Sequence, residues 1–143
     1  MTGSTARFRF GVVAYTPVLM AVRGPKARAL AAEFADMVTF AMTADDPRSK
    51  VEQLARDFRA VRDIPLALHV SVVGDTVAPF MTAPDTDPAA LRAADSLAIL
   101  PSDPAAATEE LERRREEVGF SYVVVGANSA DTLAPVVAEL SGT

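Results

Sequence analysis

The spacing of apolar residues along the chain changes repeatedly between the alternation typical of strands and the three-and-four spacing typical of helices. Short runs rich in β-branched residues predict strands at residues 7–13, 18–22, 37–42, 64–73 and 122–127. Apolar residues at helical spacing predict helices that begin near residues 24, 46, 87, 102 and 131. The main order is one strand followed by four strand-helix units.

Helix boundaries are predicted from capping residues and prolines. Asp46 is expected to cap a helix whose first residue is Pro47, because an aspartate oxygen accepts hydrogen bonds from the first free N–H groups. Asp131 or Thr132 is expected to cap the last helix, which would keep Pro135 within the first turn, where a missing N–H is tolerated. The boundaries therefore depend mainly on local chemistry.

The alternation of strands and helices predicts a single α/β domain over residues 1–143 with about five mainly parallel strands. Parallel strands need long crossovers, and the predicted helices supply them. Residues 74–88, rich in Pro, Asp and Thr, receive no element. No GxGxxG motif follows a strand, so the dinucleotide-binding fingerprint is absent from the sequence.

Composition narrows the partners that we expect. A net charge of -5 in 143 residues argues against a nucleic-acid partner. The absence of cysteine excludes disulfides, thiolate metal sites and cysteine nucleophiles. No apolar run approaches the roughly 20 residues of a membrane span, and the first residues lack the apolar region of a signal peptide. We therefore expect a cytoplasmic protein that binds neither nucleic acid nor membrane.

A cluster of basic residues stands where the first predicted helix begins, in "VRGPKAR". Arg23, Lys26 and Arg28 oppose the positive end of the helix dipole, and neither Lys26 nor Arg28 has a carboxylate at helical spacing. An anion such as a phosphate, bound by the free N–H groups after Gly24, would explain them. Alternatively, Arg23 alone points inward and the other two are solvated.

The run Arg113–Arg115 provides a contrast within the same chain. Glu109 and Glu110 precede Arg113 and Arg114 by four residues, which is the spacing of ion pairs along a helix. We therefore expect these arginines to be solvated and paired with their own helix. The basic cluster at the first predicted helix can therefore be compared with a basic run that needs no function to explain it.

His69, the only histidine, lies in the alternating segment "PLALHVSVV". Its position predicts that His69 and Ser71 share the small, polar face of a strand, near the ligand end of a barrel. His69 is a candidate proton donor, or else a hydrogen-bonded structural residue. Asp45, Tyr15 and Asn128 follow other predicted strands and are further candidates, although turn chemistry explains Asn128 equally well.

Three segments resemble bacterial luciferase-like monooxygenases, especially the actinobacterial deazaflavin-dependent branch. They are "RFRFGVV", "TPVLMAVRGPKARALAAEFADMVTFAM" and "LERRREEVGFSYVVVGANSADTLAPVVAEL". The family has a TIM-barrel fold, and these segments resemble its first strand and its fifth to eighth units. The resemblance implies a shortened TIM-type (β/α) barrel that lacks strands two to four. Such a barrel usually takes about 250 residues.

The resemblance also implies a cofactor, FMN or a deazaflavin. The family's loop after strand five helps to hold the cofactor phosphate, and this loop corresponds to Ala21, Val22, Arg23, Gly24 and Lys26, where the chain has "AVRGPKA" in place of a glycine-rich turn. The segments that support the ring have no counterpart. Because the missing strands leave open edges, we expect a homodimer or an association with a full-length relative.

The leading hypothesis is a truncated oxidoreductase or monooxygenase that binds a flavin or deazaflavin and acts on a small organic substrate. His69, Asp45 and Tyr15 would be its catalytic residues, and Ser71 and Asn128 would line the substrate. One alternative is an isomerase or cyclase that has no cofactor. Another is a partner or binding subunit without catalysis. The barrel hosts many reactions, so the site must decide among these hypotheses.

Overall fold

The computed structural model describes residues 17–43 and 46–143. The predicted strand at residues 7–13 and the candidate residues Tyr15 and Asp45 lie outside the described residues.

The described part of the chain contains seven strands, five α-helices and one 3₁₀-helix. The strands are β1 (Leu19–Val22), β2 (Met37–Phe40), β3 (Leu66–Val70), β4 (Val72–Val73), β5 (Thr76–Val77), β6 (Ile99–Leu100) and β7 (Phe120–Val125). The helices are α1 (Pro25–Phe34), α2 (Arg48–Val61), α3 (Pro88–Ala93), α4 (Pro104–Glu117) and α5 (Ala130–Leu140), and the 3₁₀-helix is Ala127–Ser129.

Four strands form a parallel sheet in the order β1-β2-β3-β7, which is also their order along the chain. Helix α1 connects β1 to β2, helix α2 connects β2 to β3, and a longer segment that ends in α4 connects β3 to β7. This arrangement confirms the α/β class and the mainly parallel sheet. Among the described residues the sheet is open, with β1 and β7 at its two edges.

One face of this sheet packs against the helices and forms the main core. Val22, Val38, Leu66 and Leu68 point to this side and are almost completely buried. Phe40 meets Phe58 of α2 edge to face, with ring centroids 6.2 Å apart. None of the helices that the structure describes has the length and apolar character needed to cross a membrane.

A second, smaller sheet interrupts the long predicted strand at Ser71. Strand β4 pairs parallel with β6 and antiparallel with β5. Val72 and Val73 consequently belong to different clusters, because Val72 packs with Leu91 and Ile99 whereas Val73 joins the main core. The β4-β5 hairpin turns at Gly74, whose φ of 61° suits a two-residue turn.

Two predicted helix starts are wrong. Asp46 does not cap α2, since the helix begins at Arg48 after Pro47 and has no side-chain cap. The Asp46 carboxylate instead accepts hydrogen bonds from the Thr43 amide and from the side chains of Arg23 and Lys50, and none from the backbone N–H groups at the start of α2. A bonded carboxylate with three donors gains little from the helix N–H groups.

The last helix also begins earlier than expected. It starts at Ala130, directly after the 3₁₀-helix, without a side-chain cap, so Pro135 lies inside it. The 3₁₀ turn initiates the helix, and capping by Asp131 or Thr132 is not needed. Pro135 cannot donate to the carbonyl of Asp131, but Asp131 is exposed, so water can satisfy that carbonyl.

Candidate functional site

The face of the parallel sheet that points away from the helices carries small side chains at its centre. Ala21, Thr39 and Ala67 lie side by side on β1, β2 and β3, as the strand register shows. We call these three residues the small-residue face. Ala21 is exposed, whereas Thr39 and Ala67 are buried. Small side chains at adjacent positions give this part of the sheet a flat surface.

His69 lies next to this face, two residues beyond Ala67 on β3. Its Nδ1 is 3.1 Å from Oγ1 of Thr39, and the ring is half-buried. Burial lowers the pKa of His69 from its usual value, because a charged imidazolium loses hydration inside the protein. A neutral ring has one donor and one acceptor nitrogen, so Nδ1 bonded to Thr39 leaves Nε2 for a ligand.

Arg23 extends the line of the small-residue face beyond the end of β1, because it lies two residues after Ala21. Its Nη1 donates to Oδ2 of Asp46 at 3.0 Å and to the carbonyl of Ala41. Asp46, only 6% exposed, also accepts from Lys50 Nζ at 2.5 Å. The partner of Arg23 is therefore a carboxylate 23 residues away, after β2.

The charge state of this group follows from its hydrogen bonds. Burial acts to raise the pKa of Asp46, but the bonds from Lys50, the Thr43 amide and Arg23 outweigh it and hold that pKa well below its usual range. Asp46 is thus ionised at neutral pH. Two cations surround this one anion, which leaves a net positive charge beside the start of α1.

The start of α1 has open N–H groups. Gly24 is the N-cap residue, with no side-chain cap and no acidic residue in the first turn. A Cβ built at Gly24 would meet nothing within 4 Å, so the backbone there is accessible. Lys26 is exposed at this helix start, which both the anion site and the solvated alternative predict.

Two other residues of this segment lie elsewhere. Arg28 lines a groove of about 310 Å³ between α1 and α2, together with Phe58 and Val61. Val22 is 1% exposed and packs in the main core, so it can offer only its backbone. Its carbonyl already accepts from the amide of Ala41.

The predicted substrate-lining residues hold the small sheet against the large one. The Ser71 amide donates to the carbonyl of Ala98, and Asn128 Nδ2 donates to the carbonyl of Val77 at 3.0 Å. Gly126 packs so closely that a Cβ there would lie 2.5 Å from the Cβ of Ala78. The β7 end of the site is therefore closely packed, and the β1 end is the more open one.

The sequence interpretation missed a buried charge cluster around Glu110. Arg114 is 2% exposed and donates to the carbonyls of Leu97 and Ile99, so it is not the solvated residue that the basic run suggests. The predicted Glu110–Arg114 pair is present at 2.6 Å, but Arg113 pairs with Glu110 and not with Glu109 as expected. Glu110 also accepts from Arg48, 62 residues away.

Comparison with known proteins gives this chain no family. No family model, no curated protein and no solved structure matches it. Within the described ranges, no group of three or more His, Asp or Glu side chains is placed to hold a metal ion. The resemblance to luciferase-like monooxygenases stays a prediction made from the residues.

Proposed function

We propose that the protein is a shortened luciferase-like oxidoreductase that binds FMN or a deazaflavin at the carboxyl edge of the parallel sheet and acts on a small organic substrate. The observation that carries this proposal is the small-residue face beside His69. Small side chains leave room for a planar ring system, and exposed Ala21, at the β1 end of this face, is the part that a ligand can reach, since Thr39 and Ala67 are buried.

The end of β1 fits the phosphate of such a cofactor. Gly24 has an accessible backbone, the N-terminus of α1 is uncapped, and Lys26 is exposed beside it. Arg23 is 49% exposed in its side chain and can bond to a second anion while it keeps Asp46. Ligands of parallel α/β sheets bind at the carboxyl ends of the strands, where these residues lie.

The chain's own residues would position the substrate and move a proton. A flavin or deazaflavin supplies hydride chemistry when it is bound. His69 holds its proton at one ring nitrogen and is oriented by Thr39 through Nδ1. Because burial lowers its pKa, His69 is mainly neutral near neutral pH, the form in which one ring nitrogen can accept a proton as a general base. Tyr15 and Asp45 remain further catalytic candidates.

Thermal denaturation with added ligand tests the proposal. FMN, the deazaflavin cofactor and inorganic phosphate are each added to the wild type and to the variants Lys26→Ala and Arg56→Ala. A ligand that binds only the folded state adds about 2.7 kcal/mol of stability at a hundredfold excess over its Kd. We expect one cofactor to raise the Tm of the wild type and of Arg56→Ala, with a smaller increase for Lys26→Ala.

Arg56→Ala is the control for the loss of one positive charge. Arg56 lies on α2 and is half exposed, so Arg56→Ala removes the same charge as Lys26→Ala at another surface. An equal rise in both variants would show that Lys26 does not bind the phosphate. If neither cofactor changes the Tm of the wild type, the oxidoreductase proposal is wrong, and the cofactor-free enzyme or the partner subunit takes its place.

A second candidate function, association with another chain, is favoured by the edge of the sheet. Val18 and Leu19 at β1 and Leu30 and Phe34 on α1 expose between 41% and 62% of their surface. We call these four residues the edge patch. Large apolar residues beside the edge strand of the described sheet are typical of an interface. We propose that two copies of this chain associate through the edge patch.

A further inference from the structure

A cavity of about 490 Å³ lies between α2, α3, β6 and α4, and the site described above does not include it. Its lining includes the apolar residues Leu91, Ile99, Leu100 and Pro101 and the charged residues Arg48, Asp95 and Glu110, together with three more arginines and another glutamate. Its volume lies in the range typical of small-molecule sites, and its lining is more charged than is usual for them.

Arg48 is held firmly on its inner side. Its side chain is 13% exposed, and its Nη2 donates to Oε1 of Glu110 at 2.6 Å. Glu110 is in turn bonded to Arg114, which is itself buried. The Nη1 atom of Arg48 is buried, has no hydrogen-bond partner and lies 3.9 Å from Oε1 of Glu52. The guanidinium is therefore fixed in place and retains an unused donor.

The outer side of Arg48 is occupied by a carboxylate that is much less firmly held. Asp95 accepts from Arg48 Nε at 2.9 Å and from Nη2 at 3.2 Å, in the two-pronged geometry that suits arginine and carboxylate. The Asp95 side chain is 69% exposed, and its backbone adopts the left-handed region with φ 49°. Because the Asp95 carboxylate lies mostly in solvent, water can replace Arg48 as its partner, so Asp95 leaves the pair at a lower cost than a buried carboxylate would.

The contrast between the two sides of Arg48 indicates a binding site. Removing Glu110 would leave buried arginines unpaired, whereas Asp95 can move into water at small cost. We propose that the cavity binds a small apolar carboxylic acid, whose carboxylate replaces Asp95 on Arg48 and whose apolar part packs against Leu91, Ile99 and Leu100. Asp95 then acts as an internal competitor that fills the site when no acid is bound.

NMR titration of the full chain with 4-phenylbutyrate tests this proposal, with 4-phenylbutanol as the uncharged probe. We expect phenylbutyrate to shift the amide signals of Ser96 and Leu97, and phenylbutanol to bind at least tenfold more weakly. In Asp95→Asn the competitor has lost its charge. The apparent affinity of this variant for phenylbutyrate should rise roughly threefold to sixfold, the range that the release of an ion pair with one exposed partner allows.

Asp63→Asn is the matched control, because it removes the same charge from another exposed aspartate that pairs with an arginine. Its affinity should equal that of the wild type. Arg48→Gln should bind phenylbutyrate at least tenfold more weakly. The comparison of Asp95→Asn with Asp63→Asn leaves Arg48 intact, so it decides the proposal even if Arg48→Gln does not fold. Equal affinity in these two variants, or equal binding of acid and alcohol, would overturn it.

Discussion

Asp46 shows how a single carboxylate can pair with a basic residue that is far away in the sequence. The first helix starts with cations where the dipole favours anions, and a carboxylate from another loop pairs with one of them, Arg23. Because Asp46 bonds to both Arg23 and Lys50, it fixes the geometry of the β1 end of the site. His69 is fixed in a similar way by Thr39 across two neighbouring strands.

His69 should titrate below its usual range, because burial disfavours the imidazolium. Its Cε1 proton signal is unambiguous in an NMR pH titration, as the chain has one histidine. The midpoint in the folded protein should lie below 6.5, and the urea-unfolded chain should titrate near 6.5. A midpoint at or above that of the unfolded chain would contradict the described environment.

The same shift has a consequence for stability. When the pH falls below 6.5, the unfolded chain takes up a proton before the folded one does, so protonation favours unfolding. The free energy of unfolding should therefore rise with pH between the folded-state pKa and 6.5. This rise should be smaller in His69→Gln, which isolates the contribution of His69 from that of the acidic groups.

At the scale of elements, Glu110 joins three parts of the molecule. It accepts hydrogen bonds from Arg48 of α2 and from Arg113 and Arg114 of its own helix. Arg114 in turn donates to the carbonyl of Leu97, before β6, and to that of Ile99, within β6. Burial acts to raise the pKa of Glu110, but the bonds from Arg48 and Arg114 outweigh it and lower the pKa to about 2. The carboxylate therefore stays charged well into the acidic range.

Glu110→Gln should destabilise the protein by about 3 kcal/mol, because it leaves Arg48 and Arg114 without their shared anion in a mostly buried position. The difference from the wild type should be fully present above pH 4.5 and should decrease as the pH falls towards 2. Urea denaturation at several pH values measures both effects. Glu109→Gln, on the exposed side of the same helix, should change stability by less than about 0.5 kcal/mol. A similar loss in both variants would show that the cluster contributes no specific stability.

At the scale of the whole molecule, the parallel sheet is covered by helices on one face and ends in two edge strands within the described residues. A full barrel would have no edges. The exposed edge patch on β1 and α1 is the physical basis for expecting a second copy of the chain. Association would shield both the strand edge and the apolar side chains of α1.

Phe34→Glu should weaken this association, because it puts a charge into the edge patch at its most exposed residue, which is 62% exposed. Sedimentation velocity should show a dimer for the wild type and a monomer for the variant at the same concentration. Val137→Glu changes an equally exposed apolar residue on α5 and should remain dimeric. A monomeric wild type would refute the dimer, and a monomeric Val137→Glu would place the interface elsewhere.

The sequence by itself determined the features that depend on neighbouring residues. The strands β1, β2 and β7, the helices with their apolar faces, and the Glu110–Arg114 pair all follow from spacings of two, three or four residues. The Gly74-Asp75 turn between two valine-rich strands was also present as a hairpin signal in the sequence, although residues 74–88 received no element.

Only the tertiary structure decided which distant groups meet. The Arg23–Asp46 and Arg48–Glu110 pairs join residues 23 and 62 positions apart, and the break at Ser71 arises where the chain passes from one sheet to the other. The burial of Arg114 likewise depends on the carbonyls that α4 meets when it packs on β6. Such contacts depend on the order in which strands and helices pack, which local periodicity does not encode.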